Sequence, residues 1–196
     1  MSATVISFVK NGFKVSFVKE LWVLGLIKAL KKLLDGAVKV AIVGVGSELK
    51  GDDRVGLEVA RRLKRLKLAN VLVVEAGTMP ENFTGVLRRF EPSHVVFVDA
   101  AQFNGSPGDV VVTSDISSLG GVTFSTHHTP LSMVARYLQE TVNAYVIFVG
   151  VQPKSALGEK LSPEVEESLE ALVTILEKVL LDVLSKQVGD VQVGEG

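Results

Sequence analysis

The sequence predicts a single three-layer α/β/α sandwich on a mostly parallel central sheet of about five strands, preceded by an N-terminal helical extension. Three observations carry that reading. Apolar runs recur from residue 38 onward, each of a length that suits a strand buried on both faces. Segments of helical periodicity alternate with these runs, the pattern of strand–helix–strand units. The chain has 196 residues, 47% of them hydrophobic, enough for one substantial core and an appendage.

The elements follow in order. Residues 1–36 form a basic amphipathic extension, with Lys10, Lys14, Lys19, Lys28, Lys31 and Lys32 set against Glu20 and Asp35. Phe8, Phe13, Phe17, Leu21, Trp22, Leu24, Ile27 and Leu30 are interleaved with those charges. Such a helix packs on its own domain or within an oligomer, or docks on an anionic membrane or a partner. Its uncharged run, 21–27, is far short of the roughly 20 apolar residues that a bilayer span needs. The main domain, 37–184, holds strands at 38–45, 71–75, 94–99, 110–113 and 144–151. Between the first two, Val55, Val59, Leu63 and Leu66 recur at helical spacing. Thr78 and Glu81 offer a capping box for a second helix. Pro130 starts a third over 131–140, and Ser162-Pro163-Glu164 caps a long final one. Val165, Leu169, Leu172, Leu176, Val179 and Leu180 form its apolar stripe. Residues 185–196 are read as a loose tail.

Composition removes several classes of function. Lys plus Arg number 21 against 22 acids, a formal charge of −1, so no global field points to nucleic acid. There is no cysteine, which excludes disulfides, thiol nucleophiles and thiolate metal sites. This fits a cytoplasmic protein, and the first residues lack the basic region and cleavage site of a secretory signal. The glycines after the first strand read G-x-G-x-x-x-x-G, with Leu49 in place of the third glycine of a dinucleotide fingerprint. Glu75 could still mimic the acid that binds a ribose. No Lys-Ser or Lys-Thr follows Gly51, no H-E-x-x-H zinc helix exists, and Ser47 is not in a nucleophile elbow.

Ligands of open α/β sheets collect beyond the carboxyl ends of the strands. There the chain places Ser47, Glu48, Asp52 and Asp53, then Glu75, then Asp99, and before the third helix His127 and His128. Two adjacent acids at a strand-to-helix turn repel, so one is expected to cap the next helix and the other to bind a cation. We assign Asp52 as the cap and Asp53 as the ligand. Asp53, Asp99 and a histidine thus converge on one edge, and carboxylates plus imidazole without sulfur suit nickel, zinc, iron or manganese. A helix N-terminus favours the neutral imidazole that binds metal. Structural alternatives stand beside these roles: a cap at Asp53, a paired strand-end acid at Asp99, loop hydrogen bonds at either histidine. His94, at a strand start, is on the opposite edge and is read as structural.

The ordered set Gly44-Val45-Gly46-Ser47, Gly51-Asp52-Asp53-Arg54-Val55-Gly56, Glu75-Ala76-Gly77-Thr78, Val98-Asp99-Ala100, Ser125-Thr126-His127-His128-Thr129-Pro130 and Gly150-Val151-Gln152-Pro153 resembles the [NiFe]-hydrogenase maturation endopeptidases, in particular the HycI-like proteases. The resemblance runs from about residue 38 to the final helix and leaves the extension outside. It implies an endopeptidase that removes a C-terminal extension from the precursor of a [NiFe]-hydrogenase large subunit after nickel insertion. By motif, the family's metal-binding and catalytic positions fall on Asp53, Asp99 and His127, with His128 as a neighbour, and nickel is supplied by the precursor. Ala76 departs from the commoner Asp-Gly-Gly pattern of that loop. Two rivals remain: a non-proteolytic nickel-sensing chaperone using the same ligands, and a dinucleotide-binding domain using the glycine turn.

Overall fold

A computed structural model describes residues 6–8, 16–115, 123–124 and 130–190, with side chains from 21 to 115, at 123–124 and from 130 to 185. The chain runs β1 (Ile6–Phe8), α1 (Ser16–Leu33), β2 (Val40–Val45), α2 (Val55–Leu63), β3 (Val71–Gly77), α3 (Thr84–Phe90), β4 (His94–Gln102), β5 (Val110–Thr113), β6 (Thr123–Phe124), α4 (Leu131–Val142), β7 (Tyr145–Val151) and α5 (Pro163–Asp190). The sheet order is β1-β5-β7-β4-β2-β3, with β6 paired to β4 off this path. β7, β4, β2 and β3 run parallel, and β5 is antiparallel to β7.

The valine-rich runs become strands because both faces of the parallel sheet are covered. β2 is buried along its whole length, and β4 is buried except at Gln102. One face packs Val40, Ile42, Val96, Val98, Ile147 and Val149 under α1, α2 and α5. The other packs Ala41, Val43, Val95, Phe97 and Phe148 under α3 and α4. From β2 the chain crosses outward to β3, then back over β2 to β4. With right-handed crossovers, that reversal sends α2 and α3 to opposite faces. The carboxyl ends of β2 and β4 therefore flank the topological switch point, where an open sheet leaves a crevice.

Several details differ from expectation, among them the strand β1 inside the expected helical extension. β6 falls where the sequence offers no strand signal, being a two-residue ladder of Ala101 with Phe124 and Gln102 with Thr123. The Thr78 capping box does not form. A 3-10 turn at Pro80–Phe83 comes first, without a side-chain cap, and α3 starts only at Thr84. The final helix continues to Asp190, past the Ser185 boundary.

The extension is part of the core. Trp22, Leu26, Leu30, Leu33 and Leu34 are buried in the cluster that holds Val173, Leu176, Val179 and Leu180 of α5. Lys31 pairs with Asp182 at 2.6 Å. Ahead of α1, β1 adds a strand to the β5 edge, Ile6 opposite Val112 and Phe8 opposite Val110. The main apolar stripe of α1 is thus spent inside the molecule, while Leu21 and Leu24 remain on its outer side.

His94 opens β4 at the amino edge, buried, with its Nδ1 3.1 Å from Ser93 Oγ and its ring tilted against Tyr145. Burial lowers its pKa below the ordinary 6.5, outweighing the attraction of Asp35. Between the lowered native value and 6.5 the unfolded chain binds more protons, so this stability is complete above 6.5 and is lost as pH falls toward the native value. Melting temperature measured from about pH 7.5 down to about pH 5 should fall, and His94→Gln should flatten that part of the profile.

Candidate active site at the switch point

The glycine-rich turn after β2 is built by close backbone approach. A Cβ on Gly44 would lie 2.2 Å from the Gly56 carbonyl oxygen, and one on Gly56 would lie 2.1 Å from the carbonyl oxygen of Val98 and 2.3 Å from that of Val45. The first turn of α2 therefore rests directly on the backbones of β2 and β4. Gly46, at φ +135°, leaves the Asp53 carbonyl oxygen only 1.8 Å from where a Cβ would stand. That carbonyl accepts the Ser47 N–H at 3.2 Å, closing the turn. These glycines serve helix-on-sheet packing. Glu75 is engaged by Arg61 Nε and Lys64 Nζ, each at 3.2 Å, so the dinucleotide reading gains no support from the turn or from the acid.

Asp52 does not cap its own helix: neither the 3-10 turn Gly51–Arg54 nor α2 has a side-chain cap. Its buried carboxylate reaches across the sheet edge instead. Oδ2 accepts the backbone N–H groups of Lys154 at 2.8 Å and Ser155 at 3.0 Å, and the Ser162 hydroxyl at 3.0 Å. Oδ1 accepts the Ser162 N–H at 2.6 Å. Ser162 stands just before α5, and its carbonyl accepts the first helical bond from Glu166 N–H. The backbone adds Gly51 N–H to the Gly158 carbonyl at 2.7 Å and Asp52 N–H to the Ser155 carbonyl at 3.0 Å. Asp52 thus fastens the loop after β7 to the turn that carries Asp53.

Asp53 is 5% exposed in the 3-10 turn Gly51–Arg54 that follows β2, and Asp99 is fully buried near the end of β4. The two strands are neighbours, in register through Gly44 and Val98, and Asp99 lies opposite Gly150 of β7. The structure accordingly brings both predicted acids to the switch point. His127 and His128 lie outside the described residues. Among the described residues no group of three His, Cys, Asp or Glu side chains could hold a metal ion.

Beside Asp53 opens a cleft of about 190 Å³, lined also by Ala100, Ala101, Phe124, Pro153 and Ala156, with Gln102 and Thr123 supplying polar groups. Sequence reasoning gave these residues no role. The one available signal was the Gln152-Pro153 pair closing β7. Gln152 is buried, and its Oε1 accepts the Phe103 N–H at 2.9 Å and the Gly105 N–H at 3.3 Å. Its Nε2 donates to Gln102 Oε1 at 2.6 Å. One amide therefore fixes the segment after β4 against the end of β7.

Comparison with known proteins places this architecture. The family model described as hydrogenase maturation protease matches residues 57–179. The crystal structure of the [NiFe] hydrogenase maturation protease HycI from Thermococcus kodakarensis aligns with a TM-score of 0.72 at 36% identity, over 78% of this chain and 98% of that one. A Methanocaldococcus jannaschii protein, named provisionally as a hydrogenase maturation protease, is 34% identical over 155 residues, 75% of this chain and 91% of its own length. The hydrogenase 3 maturation protease of Escherichia coli is 32% identical over 111 residues, 56% of this chain and 69% of that one. The molecule is an α/β enzyme of the peptidase class. It belongs to the hydrogenase maturation protease family.

Proposed function

We propose that this chain is the endopeptidase that removes the C-terminal extension of a [NiFe]-hydrogenase large-subunit precursor once nickel has been inserted. The observation that supports this reading is the burial of Asp53, in the turn after β2, and of Asp99, in the neighbouring strand β4, two acids from segments far apart in sequence. Nickel belongs to the substrate. Two carboxylates and the His127 imidazole are acceptable nickel ligands, and as a sparse set they supplement the precursor's own ligands better than they would retain a metal alone. Cleavage then reports that nickel is in place. The substrate's metal, or a carboxylate beside it, would position water and polarise the scissile carbonyl.

The test is intact mass of nickel-loaded and nickel-free precursor after mixing with the purified protein. Loss of a C-terminal peptide from the loaded form alone is the expected result. Binding without cleavage would instead make the chain a non-proteolytic nickel-sensing chaperone, and equal cleavage of both forms would remove nickel from recognition.

A further inference from the structure

Gln102, which shares a cleft with Asp53, carries an amide whose oxygen is engaged and whose nitrogen has no partner among the described residues. We propose that Gln102 Nε2 donates a hydrogen bond to the scissile carbonyl oxygen of the precursor and stabilises the charge that builds there, and that Gln152 holds the Gln102 amide in this orientation. The proposal rests on the endopeptidase reading above and adds to it a hydrogen-bond donor from the protein itself.

The orientation follows from backbone groups that cannot exchange roles. The nitrogen and oxygen of an amide are told apart by what they face. Gln152 Oε1 accepts the N–H groups of Phe103 at 2.9 Å and Gly105 at 3.3 Å, so its Nε2 is the end that donates. That nitrogen has two hydrogens, and both find acceptors: Gln102 Oε1 at 2.6 Å and the Pro153 carbonyl at 3.3 Å. Gln102 therefore turns its oxygen toward Gln152 and keeps its NH₂ for another partner. The reverse orientation would set two NH₂ groups against each other.

The donor is also fixed before substrate arrives. Gln152 is buried, and Gln102 is the exposed last residue of β4, paired across the ladder with Thr123 of β6. The next residue, Phe103, gives its N–H to the same Gln152 amide. A donor held in advance needs no reorganisation as charge develops, which is what makes such groups effective.

Peptide hydrolysis has a use for it. When the oxygen of water bonds to the scissile carbon, the π pair of the C=O bond moves to its oxygen and one water proton passes to a base. Collapse restores the C=O bond, breaks the C–N bond and gives the amine nitrogen a proton. An amide N–H binds that oxygen more strongly as it becomes negative. An ionised carboxylate only accepts hydrogen bonds, so Asp53 cannot play this part in the form that engages a metal.

The experiment is single-turnover cleavage of nickel-loaded precursor over a range of enzyme concentrations, which separates the maximal rate from half-saturation. Gln102→Met keeps the bulk of an exposed side chain without its donor. It should lower the maximal rate by about 10²- to 10³-fold and leave half-saturation within about 2-fold. Gln102→Glu should be at least as slow, because its free oxygen faces the developing negative charge. In Gln152→Glu one oxygen still accepts the two backbone N–H groups, while the other meets Gln102 Oε1 and turns the Gln102 amide over. That variant should be slowed in the same step although Gln102 is intact, and combining it with Gln102→Met should be no slower than Gln102→Met alone. Additive costs would overturn the role given to Gln152. Should Gln152→Glu not fold, Gln102→Met decides. A maximal rate for Gln102→Met within about 2-fold of wild type, or a loss in half-saturation in place of rate, would overturn the proposal and leave the peptidase reading intact. A wild-type protein that cuts no nickel-loaded precursor would overturn the peptidase reading, and the role of Gln102 with it.

Discussion

Asp53→Asn should abolish precursor processing, lowering kcat/KM by about 10²- to 10⁴-fold, with little change in melting temperature. The substitution preserves the shape of a side chain 5% exposed in the cleft wall, and it removes the negative charge with which a carboxylate would engage a metal or take a proton. Its neighbour should behave differently. Asp52 accepts two short backbone bonds, from Ser162 and Lys154, and two more from Ser155 N–H and the Ser162 hydroxyl. In Asp52→Asn an NH₂ group faces donors, so charge-assisted bonds worth about 1.5–3 kcal/mol each are weakened or broken. That variant should lose stability and become sensitive to proteolysis in the loop 153–161, with activity lost as a consequence. Thermal denaturation and limited proteolysis, run beside the cleavage assay, separate the two lesions. Wild-type processing by folded Asp53→Asn would take Asp53 out of the site. His127→Ala should match Asp53→Asn in the same assay.

Deleting residues 1–36 should unfold or aggregate the chain. Five large side chains of α1, or just after it, are buried in the core: Trp22, Leu26, Leu30, Leu33 and Leu34. Each is worth about 1.5–3 kcal/mol of burial, and together they rival the whole stability of a domain, about 5–15 kcal/mol. Truncation would also bare apolar residues of α5 and the β5 edge that β1 covers. Sedimentation and thermal melting of the truncated protein check this. A monomer that melts within a few degrees of the full chain would mean that the domain stands without its arm. The family model begins only at residue 57, so this packing is a feature of this chain that the family match does not cover.

The local signals were strong where structure is local. Valine runs buried on both faces marked β2, β4 and β7 to within a few residues, and the periodicity of Val55, Val59 and Leu63 marked α2. β1 and β6 were not legible as strands, because two- or three-residue strands leave no period to read. Local rules misled at Thr78, where a 3-10 turn at Pro80 delays the helix, and at Asp52, where proximity to a helix start implied a cap.

By itself the sequence determined the α/β class, the order of its longer elements and, through an ordered set of short motifs, the family. It also brought Asp53 and Asp99 to one edge, because strand ends in a parallel sheet are a topological fact. Tertiary structure alone decided how the acid pair divides its work, since the partners of Asp52 lie at Lys154, Ser155 and Ser162, the last 110 positions away. It decided that the glycines admit backbone contacts, that α1 belongs to the core, and that a cleft walled by alanines stands beside Asp53. Propensity and periodicity act over a few residues, whereas a buried carboxylate or a glycine contact is defined by whatever the folded sheet brings against it.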